Sequence, residues 1–160
     1  MKKRGKPITI LMADDNATDC LMVKDALEKA HLYNDLRFVE NGVDLMDYLQ
    51  HRGKYKGPFD APRPGLILLD LNMPRKDGRE ALAEIRADPK LADLPVVVMT
   101  SSKEDEDFWR ARNLGANIYL VKPVTFEALI NVVNSLGKYW FEILEPALDK
   151  IEPATATGGR

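Results

Sequence analysis

Short unbroken apolar runs alternate along the chain with longer segments of mixed polarity. Ile8-Thr9-Ile10-Leu11-Met12-Ala13 is the first such run. Leu66-Ile67-Leu68-Leu69, Val96-Val97-Val98-Met99 and Ile118-Tyr119-Leu120-Val121 repeat it. Runs with no polar face suit parallel strands covered on both sides. Leu36-Arg37-Phe38-Val39-Glu40 alternates instead, which predicts an edge strand. Between the runs, Leu21, Val23, Ala26, Leu27 and Ala30 recur at near-helical spacing, and helices are also expected over 43–49, 79–86 and 105–114. Thr125 is placed to cap a last helix with Ala128, Leu129, Val132, Val133 and Leu136 on its inner face. Five strands alternating with five helices predict an α/β fold, a flavodoxin-like doubly wound parallel sheet of strand order 2-1-3-4-5.

Two segments depart from this rhythm. Residues 51–65 hold three prolines (Pro58, Pro62, Pro64) and three glycines (Gly53, Gly57, Gly65), which predicts a long surface loop. Residues 146–160 run into small and polar types and are expected to be a disordered tail. Residues 1–6 form a basic N-terminal segment, and residues 7–145 form the one expected domain, its last helix running from about 125 to 145.

Composition narrows the class of protein. At 160 residues with 45% hydrophobic and 30% charged side chains, the chain reads as an ordinary globular domain. A formal net charge of -2 gives no electrostatic case for nucleic acid. Cys20 is the single cysteine, so an internal disulfide is impossible. No apolar stretch reaches the roughly 20 residues of a membrane span, and the start lacks the apolar region of a secretory signal, so a cytoplasmic protein is expected. His31 and His51 have no ligand company and read as structural or solvent-facing.

The candidate chemistry sits at strand ends. Asp14 and Asp15 follow the first strand and Asp70 closes the third. In an open parallel sheet, the carboxyl ends of the strands line the ligand crevice where strand order reverses. Three carboxylates meeting there repel one another, and a hard divalent cation such as Mg²⁺ relieves that repulsion. Thr100 ends the fourth strand and Lys122 the fifth, placing a hydroxyl and an ammonium at the same rim. Together they suit the oxygens of a phosphoryl group, and an aspartate carboxylate is a competent phosphoryl acceptor.

These residues resemble the response-regulator receiver family of two-component signalling. The resemblance rests on Asp14-Asp15-Asn16, on Leu68-Leu69-Asp70-Leu71-Asn72-Met73-Pro74 with Gly78, on Val98-Met99-Thr100-Ser101 and on Tyr119-Leu120-Val121-Lys122-Pro123. It implies that Asp70 is phosphorylated by a histidine kinase or phosphotransfer protein. It implies that Asp14 or Asp15, Asp70 and the backbone carbonyl of Asn72 ligate Mg²⁺, and that Lys122 contacts the phosphoryl group. Thr100, followed by Ser101, would act in phosphoryl binding and switching, Tyr119 would swing inward in response, and the bond before Pro123 would be cis. The implied protein is a signalling switch that catalyses only its own phosphotransfer and dephosphorylation.

The 51–65 segment and the extension Lys138-Tyr139-Trp140-Phe141-Glu142 are similar to the stand-alone regulators of bacterial phytochrome kinases. Trp140 can join the sheet-facing stripe, while Tyr139, Phe141 and Leu144 exceed what that stripe needs, so a homodimer around this helix is expected, with Tyr139, Trp140, Phe141 and Leu144 at its interface. Nothing of domain size follows residue 150, so output is expected through protein contacts. The alternative is a Mg²⁺-dependent phosphotransferase or phosphatase of haloacid-dehalogenase type. That class needs a second aspartate two residues after the nucleophile, and Asn72 stands there. A flavodoxin would need a phosphate-binding loop where Asp14 and Asp15 repel phosphate.

Overall fold

The structure, a computed structural model, describes residues 8–30, 34–57 and 61–136, with side chains to residue 132. Its elements follow the order β1 (Thr9–Ala13), α1 (Ala17–Lys29), β2 (Asp35–Val39), α2 (Gly42–Gln50), a 3-10 turn (Gly53–Tyr55), β3 (Pro64–Asp70), α3 (Gly78–Ala87), β4 (Val96–Thr100), α4 (Lys103–Ala111), β5 (Ile118–Val121) and α5 (Phe126–Leu136). All strand pairs are parallel, in the order β2-β1-β3-β4-β5. Five strands and five helices thus form the doubly wound sheet that the apolar runs predict, with β2 at an edge.

The runs lack a polar face because the sheet has two cores. On one face Leu11, Ala13, Ile67, Leu69, Val96 and Val98 meet α2 and α3 through Leu45, Leu49, Leu82 and Ile85. On the other, Ile10, Met12, Leu66, Leu68, Val97 and Met99 meet α1 and α5 through Val23, Leu27, Leu129 and Val132. Successive residues of a strand point to opposite faces, so both parities must be apolar in the three central strands.

Several details differ from the sequence expectation, each for a physical reason. β3 takes in Pro64 and Gly65 from the end of the stretch expected as loop. Proline is tolerated at the first residue of a strand. The pairing of β1 with β3 shifts register between Thr9 and Ile10, leaving Gly65 as the extra residue of a bulge. A Cβ on Gly65 would lie 2.6 Å from the Ile8 side chain, so glycine fits there. In α1 the buried stripe is Val23, Ala26 and Leu27, while Leu21 is 65% exposed, off the stripe by its helical phase. α4 starts at Lys103, capped by the Ser102 side chain on Asp105 N, and stops at Ala111. Asn113 and Gly115 turn left-handed beyond it, which ends the helix before Leu114.

Glu106, inside the acidic run Glu104-Asp105-Glu106-Asp107, is buried in α4. Lys103 and Arg110 satisfy it at 2.9 and 2.8 Å. On the adjoining surface the Arg79 guanidinium of α3 stacks over the Trp109 ring of α4 at 5.0 Å. His51 caps α2 in the left-handed conformation, with Nε2 3.0 Å from the Ala61 carbonyl. Tyr139, Trp140, Phe141 and Leu144, the 146–160 tail, the 1–6 segment and His31 lie outside the described residues.

Candidate functional site

The chain reverses direction across the sheet between β1 and β3, which opens a crevice at their carboxyl ends. Asp14 follows β1 there, with its backbone N–H donating to Val39 O at 3.0 Å. Its Oδ1 accepts the Asn16 N–H at 2.9 Å. Asn16 then caps α1 through its side chain, so the turn that fixes Asp14 also starts the helix. Asp70 ends the central strand β3, and its Oδ1 accepts the Asn72 N–H at 3.0 Å. Asp14 and Asp70 are buried and Asp15 is exposed. One oxygen from each of the three lies within 4.8 Å of the others.

Lys122, just past β5, reaches into this group. Its Nζ donates to Asp70 Oδ2 at 3.2 Å and to Asp19 Oδ2 at 2.7 Å. It also lies 2.9 Å from Asp14 Oδ2, an ion contact without hydrogen-bond geometry that leaves this buried oxygen unsatisfied. The bond from Lys122 to Pro123 is cis.

Charge at the rim is unbalanced, with four carboxylates around one ammonium. Burial pushes the Asp70 carboxyl up to about 6, and Asp14 adds to the rise, while the Asn72 N–H and Lys122 oppose it. Burial works against the Lys122 charge, yet the bond to Asp19 and the negative charges of Asp70 and Asp14 hold its ammonium above the usual lysine range. Cys20, on the first turns of α1, is pushed up to about 11 by burial and then by Asp14. Its thiol lies 3.9 Å from the Asp14 carbonyl.

The hydroxyls expected at the rim are turned elsewhere. Thr100 is buried, and its Oγ1 donates to Ser102 O or Leu120 O, both at 3.2 Å. Ser101 is exposed and donates to Asp105 Oδ2 at 3.2 Å. Tyr119 stands inward already, 7% exposed. Its hydroxyl accepts the Leu114 N–H at 3.1 Å, and the Arg110 guanidinium lies 5.3 Å from its ring centre. Arg110 also donates to Tyr119 O at 3.3 Å, joining the switch region to buried Glu106.

The structure therefore gathers Asp14, Asp15, Asp70 and Lys122 at one point and places Thr100, Ser101 and Tyr119 around it on other partners. Sequence reasoning passed over Asp19. The available signal was spacing: Asn16 caps the helix, so Asp19 falls in the first turn directly above the rim. The acid set fits a hard cation, because all three groups offer oxygen and one buried oxygen lacks a hydrogen bond.

Comparison with known proteins agrees with this geometry. Residues 10–134 match the response regulator receiver domain. Response regulator Rcp1 of Synechocystis sp. is 38% identical over 136 residues, covering 85% of this chain and 90% of that protein. The bacteriophytochrome response regulator AtBRR superposes with a TM-score of 0.78 at 35% identity, covering 85% of this chain and 96% of that one. The Mn²⁺-bound form of Rcp1 superposes with a TM-score of 0.66 at 38% identity, covering 84% and 94%. The dehalogenase-type alternative is set aside by this match, as the missing aspartate at Asn72 already argued. A strand-end acid group, a lysine across the crevice and a match over nearly all the described residues lead to one conclusion: the chain belongs to the response regulator receiver family, the phospho-accepting switches of two-component signalling.

Proposed function

We propose that Asp70 is the phosphoryl acceptor and that a histidine kinase of the bacterial phytochrome type is its donor. The observation that carries this reading is the setting of Asp70, buried at the end of the central strand with one oxygen on Lys122 and the other on a main-chain N–H. In the transfer, a carboxylate oxygen of Asp70 forms a bond to phosphorus and the bond from phosphorus to the donor histidine nitrogen breaks. That nitrogen keeps the electron pair and takes up a proton. Lys122 neutralises charge on the phosphoryl oxygens and positions them. Asp14, Asp15, Asp70 and the backbone carbonyl of Asn72 are the groups to hold Mg²⁺, which supplies further charge neutralisation. The likeness to phytochrome-associated regulators supports the choice of donor, and the Mn²⁺-bound form of Rcp1 supports a divalent ion.

In this reading the protein acts in the cytoplasm and catalyses no reaction besides its own phosphorylation and dephosphorylation. Among the described residues, no helix is long and apolar enough to cross a membrane. Thr100 and Ser101 bind or follow the phosphoryl group, and Tyr119 transmits the change to α4 and β5. Leu21, Met22 and Phe126 expose apolar surface on α1 and α5, beside the groove lined by Ala26 and Val124, which suits a docking donor. Tyr139, Trp140, Phe141 and Leu144 form a homodimer interface, and sedimentation that finds only monomer at micromolar concentration removes that part of the reading.

Incubation with acetyl phosphate and Mg²⁺ followed by intact mass measurement tests the core of it. One added phosphoryl group is expected, absent in Asp70→Asn and absent when EDTA removes the metal. Uptake by Asp70→Asn at the wild-type rate sinks the assignment.

A further inference from the structure

An ammonium has three protons; Lys122 donates to Asp19 and Asp70 and faces Asp14 as an ion contact. The nearest is Asp19, at 2.7 Å, against 2.9 Å for Asp14 and 3.2 Å for Asp70. The three are not equivalent. Asp14 and Asp70 belong to the acid group that suits a cation, and Asp19 does not. Its backbone is fixed separately, because its own N–H donates to the Asn16 side chain at 2.9 Å. Its hold on Lys122 therefore does not depend on how the other two acids are employed.

A phosphoryl group on Asp70 changes what Lys122 must do. It brings oxygens with concentrated negative charge to the Oδ2 side of Asp70, where Lys122 is the cation in contact. To meet them the ammonium must be drawn away from the carboxylates that already hold it. Asp19 also adds a negative charge at the mouth through which an anionic phosphodonor enters, and with 23% of its side chain exposed it is only partly screened. Both effects have the same sign.

Resting on the assignment of Asp70 as acceptor, we propose that Asp19 is a positioning residue that holds the Lys122 ammonium back from the phosphoryl group and so slows phosphoryl acceptance. Asp19 makes no contact with the reacting atoms in this account. It acts through Lys122, as a brake built into the first turn of α1.

The test follows uptake from acetyl phosphate at saturating Mg²⁺ by timed intact mass, comparing wild type with Asp19→Asn, Asp19→Ser and Asp19→Glu. Removing the charge is expected to speed uptake by about threefold to tenfold in Asn and Ser, the scale of a partly exposed charge-assisted contact. Glu is expected to restore the slow rate to within about twofold of wild type, since it returns the same charge. A separate Mg²⁺ titration by tryptophan fluorescence is expected to give dissociation constants within about twofold across the set, because Asp19 lies outside the acid group. Raising KCl is expected to speed wild type more than Asp19→Asn, as screening loosens the same contact. A passive surface ion pair would move none of these rates. Two neutral variants guard against one that misfolds, with far-UV circular dichroism as the check. Wild type that takes up phosphoryl while both neutral variants are no faster overturns the proposal alone. So does a rate gain matched by an equal gain in Mg²⁺ affinity, or a Glu variant as fast as Asn. Wild type that takes up none overturns the Asp70 assignment itself.

Discussion

At the scale of single residues, the site is a set of groups held in uncomfortable charge states. Asp70 has its carboxyl raised to about 6 from an ordinary 3.8, so the fold favours its neutral form. The linkage sign follows: that contribution to stability is fully present below about pH 4 and is lost as pH rises through 6. Asp70→Asn is always neutral. In EDTA buffer it is expected to exceed wild-type stability by about 1–3 kcal/mol at pH 8, with the gap closing towards pH 4, as thermal melts at the two pH values will show. A gap that does not depend on pH contradicts this account. Cys20, raised to about 11 from an ordinary 9.0, stays a thiol at neutral pH and is expected to react with iodoacetamide about a hundredfold more slowly than free cysteine, the ratio of thiolate fractions. What the sequence made legible here were groups at strand ends, because the carboxyl ends of strands are where a doubly wound sheet opens. Asp19 was not legible, because an acid in the first turn of a helix is explained equally well by the helix dipole. Glu106 was hidden in the same way, one acid among four consecutive ones, and the fold buries it between Lys103 and Arg110.

At the scale of elements, positions that look unremarkable in sequence set the shape of the crevice. Asp77 and Glu80 form a reciprocal capping box at the start of α3. Gly78 follows Asp77, and a Cβ there would lie 2.5 Å from the Asp70 carbonyl oxygen. Gly78 N also donates to Leu71 O at 3.0 Å, so α3 begins pressed against the backbone that carries the acceptor. Gly78→Ala is expected to destabilise the domain by about 2 kcal/mol, within the usual cost of overpacking, and to slow phosphoryl uptake as well. Urea unfolding and the mass assay read the two effects, and a variant of wild-type stability contradicts the close packing. Element types were legible from hydrophobic period. Element ends were not, since they depend on side-chain caps, on the left-handed turn after α4 and on the bulge at Gly65, where β3 pairs with β1.

At the scale of the whole molecule, the sheet separates two cores that share only the strands. α1 and α5 rest on one, α2 and α3 on the other. The acid group stands where the strands leave both, and β3, which carries Asp70, pairs with β1 on one side and β4 on the other. In α4, Arg110 grips Tyr119 and Trp109 meets Arg79 of α3. That last stack has a use of its own. A guanidinium over an indole alters the ring's fluorescence, and the contact joins two helices that a shift of α4 would separate. The stack would thus serve as an optical gauge of any movement of α4 against α3. With Trp140 replaced by Phe, Trp109 is the sole remaining tryptophan, and its emission is expected to change on phosphoryl uptake in wild type and to stay constant in Asp70→Asn.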